Sequence, residues 1–138
     1  MRYILFLTIF TLIISAKYTQ VENRVLDDKT NLEWQNDDKV NSVYLKWSDS
    51  IKFCEDLELD GYKDWRLPNI VELASLIDDT QTQPVMSKIF KNSAGDFWSS
   101  TTKAEDSSQA WITIYNYGIQ YYQDKSEQNY VRCVRGGL

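Results

Sequence analysis

The sequence predicts an α+β domain, and three observations support that prediction. A turn-forming segment separates two short apolar runs near the start, and two later stretches carry apolar residues at helical spacing. From Phe97 onward the apolar and aromatic residues recur at every second position, as in strands. Since 138 residues is the size of one domain, we expect two helices packed on a small antiparallel sheet.

The amino-terminal segment is typical of a secretory signal peptide. Arg2 supplies a positive charge, residues 4–14 form an apolar run, and small residues follow up to Ala16. That run is shorter than the roughly 20 apolar residues needed to span a bilayer. We predict cleavage after Ala16, which leaves 17–138 as one domain that is periplasmic, secreted or on the cell surface, without stable membrane insertion. An uncleaved anchor is the alternative, because Ile14 stands where alanine is usual.

The predicted mature domain is acidic. Loss of the signal peptide removes Arg2 and changes the formal charge from -5 to -6. An acidic domain is repelled by phosphate backbones and by anionic lipid headgroups. We therefore expect no nucleic-acid partner.

Residues 24–35 are predicted to form a hairpin, followed by a polar loop at 36–43. Asn31 tolerates the left-handed backbone conformation that such a turn uses. The first helix is predicted over 48–59, with Ser48 as its N-cap. Four apolar residues are spaced four, three and three positions apart, which places them on one face of a helix: Trp47, Ile51, Cys54 and Leu57.

The second helix is predicted over 69–77, directly after Pro68. Asn69 and Glu72 have the spacing of a capping box, in which each side chain accepts from the other's backbone N–H. We expect a loop at 78–85, a helical turn at 86–90, and then four strands of one antiparallel sheet. The predicted strands are 97–102, 110–115, 118–123 and 130–135.

Cys54 and Cys133 are predicted to form a disulfide, because an even cysteine count is typical of disulfides in exported proteins. The bond would join the first helix to the last strand across 79 residues. A metal or redox role for the pair is the weaker alternative, since the sequence has no CxxC motif and no histidine.

The absence of histidine excludes Ser-His-Asp and Cys-His nucleophiles and removes the usual general base. The adjacent pairs Asp37-Asp38 and Asp78-Asp79 are interpreted as turn or capping residues rather than catalytic carboxylates. We therefore expect no enzyme activity, no cofactor and no resident metal.

Several residues are predicted to be structural. Arg66 is expected to be satisfied by carbonyl oxygens or by a carboxylate of Glu72 or Asp78, and Trp65 to support the same turn. A pocket lined by Trp65, Arg66 and Pro68 is the alternative. The other four tryptophans are interpreted as core residues: Trp34, Trp47, Trp98 and Trp111.

The predicted ligand-binding residues lie in a segment dense in aromatic and amide side chains: Tyr115, Asn116, Tyr117, Gln120, Tyr121 and Tyr122. Strand alternation cannot bury all of these rings on one face, so some should remain exposed as a contact surface. Stacking of sugars on these rings is the preferred hypothesis. The alternative is that the rings merely cover the sheet.

Ordered local motifs resemble the Lcl C-terminal domain family over about residues 25–136. They include Leu32-x-Trp34-Gln35, Trp47 followed by Cys54, Gly61-x-x-Asp64-Trp65-Arg66-Leu67-Pro68, Glu72-Leu73, Phe97-Trp98-Ser99-Ser100, Ala110-Trp111 and Val131-Arg132-Cys133-Val134-Arg135. The resemblance implies a C-type-lectin-like fold with a helix disulfide-bonded to the last strand.

The resemblance also implies surface attachment or carbohydrate recognition, since the founding adhesin domain binds sulfated glycosaminoglycans. This chain departs from that founder in lacking a collagen-like stalk and in being acidic. It also lacks the Glu-Pro-Asn and Trp-Asn-Asp strings of calcium-dependent lectins, so calcium-dependent sugar binding is not expected. Asp and Asn side chains in the loops could still hold a weakly bound ion. We expect an exported, non-catalytic module for a glycan or surface ligand, with a periplasmic protein-interaction domain as the alternative.

Overall fold

The computed structural model describes residues 17–137, so the predicted signal peptide lies outside the described residues. In chain order the strands are β1 (Tyr18–Val21), β2 (Arg24–Asp27), β3 (Leu32–Gln35), β4 (Tyr44–Lys46), β5 (Asp96–Lys103), β6 (Asp106–Ile114), β7 (Ile119–Asp124), β8 (Gln128–Tyr130) and β9 (Val134–Gly136). The helices are α1 (Trp47–Glu55) and α2 (Ile70–Ala74), with a short 3-10 helix at Asp38–Asn41.

The strands form two sheets rather than the one expected. The first has the order β1-β2-β3-β9 and is antiparallel throughout. The second has the order β4-β8-β5-β6-β7 and is antiparallel except where β5 runs parallel to β8. The α+β prediction is therefore confirmed, and β7 lies at an open edge of the second sheet.

The predicted last strand at 130–135 is wrong as a single element. Its two ends belong to β8 and β9, which lie in different sheets, and 131–133 connect them. Strands β1 and β4 were not predicted, because their short sequences lack a clear apolar alternation. The predicted helical turn at 86–90 is not an assigned helix: Met86 forms an isolated bridge with Ile77, and the Phe90 N–H bonds to the Ser87 carbonyl oxygen at 3.1 Å in a single turn.

Both helices are shorter than predicted. The N-cap of α1 is Lys46, whose side chain makes no capping bond, so the assignment of Ser48 is wrong. In α2 the capping box is confirmed, with Asn69 Oδ1 accepting from the Glu72 N–H at 2.8 Å. The hairpin turn is also confirmed, because Asn31 has a φ of 58°.

The second sheet is covered on both faces. Phe97 and Trp98 are successive residues of β5, so their side chains point to opposite faces and enter separate core clusters. Leu73 of α2 packs on the Phe97 side, and Cys54 of α1 packs on the Trp98 side. The two core clusters therefore lie on opposite sides of this sheet.

The Cys54–Cys133 disulfide is present, with an S–S distance of 2.07 Å and a Cα–Cα distance of 5.4 Å. Cys54 lies in α1 as predicted. Cys133 lies immediately before β9 rather than within the last strand. The bond therefore holds α1 against the segment that passes from the second sheet to the first.

A fully buried arginine supports the same crossing segment. Arg132 donates through one nitrogen to the carbonyl oxygen of Gln35 at 2.8 Å and through the other to that of Lys91. Its guanidinium carbon lies 5.3 Å from the ring centroids of both Phe90 and Phe97. One side chain thus bonds to carbonyl oxygens at the end of β3 and in the loop that precedes β5.

No helix within residues 17–137 has the length and apolar character that crossing a bilayer requires.

Candidate ligand-binding surface

The predicted contact residues lie on the turn after β6 and on the edge strand β7. Tyr117 and Tyr121 expose 67% and 51% of their surface, so these two rings face solvent. Asn116 and Gln120 are also exposed, and Tyr122 is half-buried. Five of the six predicted residues are therefore exposed or half-buried, and alternation along β7 points Gln120 and Tyr122 to the face opposite Tyr121.

Tyr115 is the exception, because it lies in the core. Its exposure is 0%, and its hydroxyl donates to the carbonyl oxygen of Leu73 at 2.6 Å. Its ring packs edge-on against Phe97 at 5.6 Å, and burial raises the pKa of its hydroxyl. Placing Tyr115 at the contact surface was therefore an error, since this tyrosine instead fixes α2 onto the second sheet.

The exposed ring of Tyr121 is held in place by its neighbour. It stacks on Tyr122 with ring centroids 4.6 Å apart and planes inclined by 11°. Tyr122 in turn meets Trp111 edge-on at 5.6 Å, and the ammonium of Lys103 lies 3.4 Å from its centroid. These contacts fix the orientation of the Tyr121 ring before any ligand arrives.

Neighbouring positions on β5, β6 and β7 extend this surface. Asp96 pairs with Ile114, and Ile114 pairs with Ile119, so the three residues form one row across the sheet. Tyr121 lies two residues along β7 from Ile119, so its Cα–Cβ bond points to the same face, while its ring stacks on that of Tyr122. We call the set Asp96, Ile114, Ile119 and Tyr121 the edge surface.

Three members of the edge surface were missed from the sequence, namely Asp96, Ile114 and Ile119. Ile119 exposes 47% of its surface although its side chain is apolar. Asp96 is half-buried, and burial raises the pKa of its carboxyl. Alternation along β5 places Asp96 on the same face as Trp98, and the sequence pattern alone indicates this. The strand register that aligns Asp96 with Ile119 is not visible in the sequence.

The residues predicted to be structural occupy a different region. Arg66 forms paired bonds of 2.7 Å to both carboxylate oxygens of Glu72 and a third bond to the carbonyl oxygen of Gly136. Although burial alone raises the pKa of Glu72, the bonds from Arg66 and from the Asn69 N–H lower it on balance. Trp65 is buried at 2% exposure. Arg66 is therefore bonded to a carboxylate and to a carbonyl oxygen.

Two of the four tryptophans assigned to the core are fully buried, namely Trp34 and Trp98. Trp47 and Trp111 are only half-buried. The ammonium of Lys125 lies over the Trp47 ring, 3.9 Å from its centroid. The ammonium of Lys103 makes the same kind of contact with the Tyr122 ring.

The adjacent carboxylates behave as turn residues. Asp78 accepts from both the N–H and the hydroxyl of Thr80, and Asp37 accepts from the Gln35 amide at 2.9 Å. Across the described part of the chain, no three cysteine or carboxylate side chains converge as metal ligands would. Cavities of about 310 Å³ beside α1 and about 350 Å³ beside the β2–β3 hairpin are separate from the edge surface.

Comparison with known proteins gives one family. Residues 23–135 match the family model of the Lcl C-terminal domain, which covers most of the chain. Comparison with curated proteins gives no match.

Proposed function

Because the chain belongs to the Lcl C-terminal domain family, we propose that it is a non-catalytic module that binds glycans outside the cytoplasm. The observation that carries this proposal is the exposed Tyr121 ring, stacked at 4.6 Å on a Tyr122 ring that other side chains hold in place. A fixed, exposed aromatic ring offers an apolar face to a sugar ring and loses little conformational entropy on binding.

Amide groups complement the rings. Asn116 and Gln120 are exposed next to Tyr117 and Tyr121, and each amide supplies both hydrogen-bond donors and an acceptor. Sugar hydroxyls need both kinds of partner, so apolar stacking and polar recognition can occur side by side. This combination supports a saccharide ligand over a purely apolar one.

The remaining features support the same proposal. The sequence has no histidine for general acid-base chemistry, and the disulfide is typical of an oxidising compartment outside the cytoplasm. The first and last strands, β1 and β9, belong to the same sheet, and α1 is disulfide-bonded to the segment before β9. These relationships support a C-type-lectin-like fold for the domain.

The proposal is tested by replacing Tyr117 and Tyr121 together by alanine in the domain spanning 17–138. Binding to a glycan array and to peptidoglycan should fall about tenfold or more, because two exposed stacking rings are lost. Tyr44→Ala is the matched control, since Tyr44 is 48% exposed but lies on β4 at the opposite edge of the same sheet. Equal glycan binding by the double variant and the control would exclude this surface.

A protein partner is the second candidate, and the open edge of β7 favours it. An edge strand presents unpaired backbone groups, and Ile119 adds an exposed apolar side chain there. A charge on an edge strand blocks pairing with another chain, so Ile119→Lys should abolish capture of a periplasmic partner. Capture that persists in Ile119→Lys would exclude pairing of a partner along β7.

A further inference from the structure

Asp96 is a half-buried carboxylate on the edge surface. Among residues 17–137 it has neither a hydrogen-bond nor an ion-pair partner, whereas Asp60, Asp64 and Glu72 all pair with arginines. Partial burial of an unpaired carboxylate is unfavourable, because the charged group loses water and gains nothing in return. The position is therefore suited to a cation that comes from outside the domain.

The surroundings of Asp96 specify what else such a ligand would meet. Ile114 and Ile119 separate Asp96 from the edge of the sheet in the same cross-strand row, and Tyr121 follows on β7. Two strand spacings, about 10 Å, lie between the backbones at Asp96 and Ile119. A ligand that reaches both Asp96 and Tyr121 is therefore longer than a single sugar ring.

We propose that the edge surface selects glycans that carry a protonated primary amine, with Asp96 as the acceptor for the ammonium and Tyr121 as the stacking ring. This inference rests on the proposed glycan-binding function and names its ligand class. A short oligosaccharide with unacetylated amino sugars combines the apolar ring faces, the cationic group and the length that this surface fits.

The charge of the chain supports an amine over a sulfate. The domain without its signal peptide carries a formal charge of -6, and the unpaired group on the edge surface is itself an anion. A sulfated glycan would meet repulsion there, while a cationic glycan is attracted both locally and at longer range.

Glucosamine oligomers and N-acetylglucosamine oligomers of equal length provide the test, because they differ mainly in the charged amine. Titration calorimetry is performed in a buffer in which both the amine and the carboxylate are charged. The unmodified domain should bind the amine form about fivefold more tightly, which is the size expected for one partly exposed charged hydrogen bond.

Asp96→Asn should abolish this preference and leave binding of the acetylated oligomer within about twofold. Asp79→Asn is the matched control, since it removes one carboxylate charge from an exposed loop position. Equal affinity of the unmodified domain for the two oligomers, or a preference retained in Asp96→Asn, would overturn the inference.

Other outcomes separate this inference from the proposed function. If Asp96→Asn loses the preference while Tyr121→Ala retains full affinity, the carboxylate role stands and the stacking role fails. Absence of binding to both oligomers overturns the inference, while binding of other glycans on the array would preserve the general function. Asp96-dependent binding of a lysine-rich peptide without binding of glucosamine oligomers would overturn it in favour of a protein partner.

Discussion

The backbone N–H of Gln35 donates to the carbonyl oxygen of Cys133 at 2.9 Å, and the Gln35 side-chain oxygen accepts from the Cys133 N–H at 3.0 Å. Both residues are fully buried, so water does not compete for these bonds. Cys133 is thus fixed against β3 by hydrogen bonds and against α1 by its sulfur. Cys133 therefore has two independent attachments, in addition to the bonds that its neighbour Arg132 makes.

Replacing Cys54 and Cys133 together by alanine should leave a folded but destabilised domain. In the chain-entropy model, loss of a bond that spans 79 residues lowers the free energy of unfolding by up to about 4 to 5 kcal/mol. Urea unfolding followed by tryptophan fluorescence measures the change. An unchanged midpoint in the double variant would show that the hydrogen bonds of Gln35 alone hold the segment.

Arg132→Met should destabilise the domain by about 3 kcal/mol or more, because buried carbonyl oxygens of Gln35 and Lys91 lose a charged donor. Burial lowers the pKa of Arg132 to about 10, which still leaves the guanidinium charged at neutral pH. Arg132→Lys should recover only part of the loss, since one ammonium cannot reproduce the planar fork. Unfolding midpoints of the two variants measure the difference, and equal midpoints would contradict this account.

The Arg66–Glu72 pair should make stability depend on pH in the acidic range. The pKa of Glu72 is lower in the folded state, so its stabilisation is present above the unfolded value of about 4.3 and disappears as pH falls below it. At neutral pH Glu72→Gln should lower the free energy of unfolding by about 1 kcal/mol. The difference in this free energy between the variant and the unmodified domain should become smaller on acidification. A gap that is constant with pH would contradict the prediction.

Asp96→Asn should leave the free energy of unfolding unchanged or higher at neutral pH. Burial raises the pKa of Asp96, so its charged form is a cost to the folded state that grows as pH rises through the folded pKa. An uncharged amide removes that cost, as is common for residues kept for function at the expense of stability. Thermal unfolding at neutral pH checks this, and a clear fall in Tm would indicate a structural role.

Tyr122→Leu should weaken glycan binding without removing the exposed ring of Tyr121. The stack at 4.6 Å is lost, so Tyr121 becomes mobile and must be ordered on binding. An aromatic pair contributes about 0.5–1.5 kcal/mol, which corresponds to an affinity loss of about two- to tenfold. Calorimetry with the best glycan from the array measures it, and a loss as large as that of Tyr121→Ala would indicate direct contact by Tyr122.

Local patterns predicted much of this fold correctly. The Asn69 and Glu72 capping box and the left-handed Asn31 depend on residue types at local positions, and the pairing of Cys54 with Cys133 follows from an even cysteine count. Helix ends were less predictable, because α1 and α2 stop where the chain must turn to pack rather than where apolar spacing ends.

The candidate site was predictable only in part. Aromatic density identified Tyr117 and Tyr121 as surface residues, but the same pattern included Tyr115, whose hydroxyl bonds to Leu73 inside the core. Strand alternation assigns relative faces and does not show which face a helix covers. Since α2 packs over the end of β6, Tyr115 is buried while residues beyond it are exposed.

By itself the sequence determined the composition of the domain: its acidic charge, its lack of histidine, its one cysteine pair and its aromatic segment. Only the tertiary structure decided that 130–135 divides between two sheets and that Asp96 shares a face with Tyr121. The physical reason is that composition and local spacing act within a few residues, whereas strand register joins positions far apart in the chain.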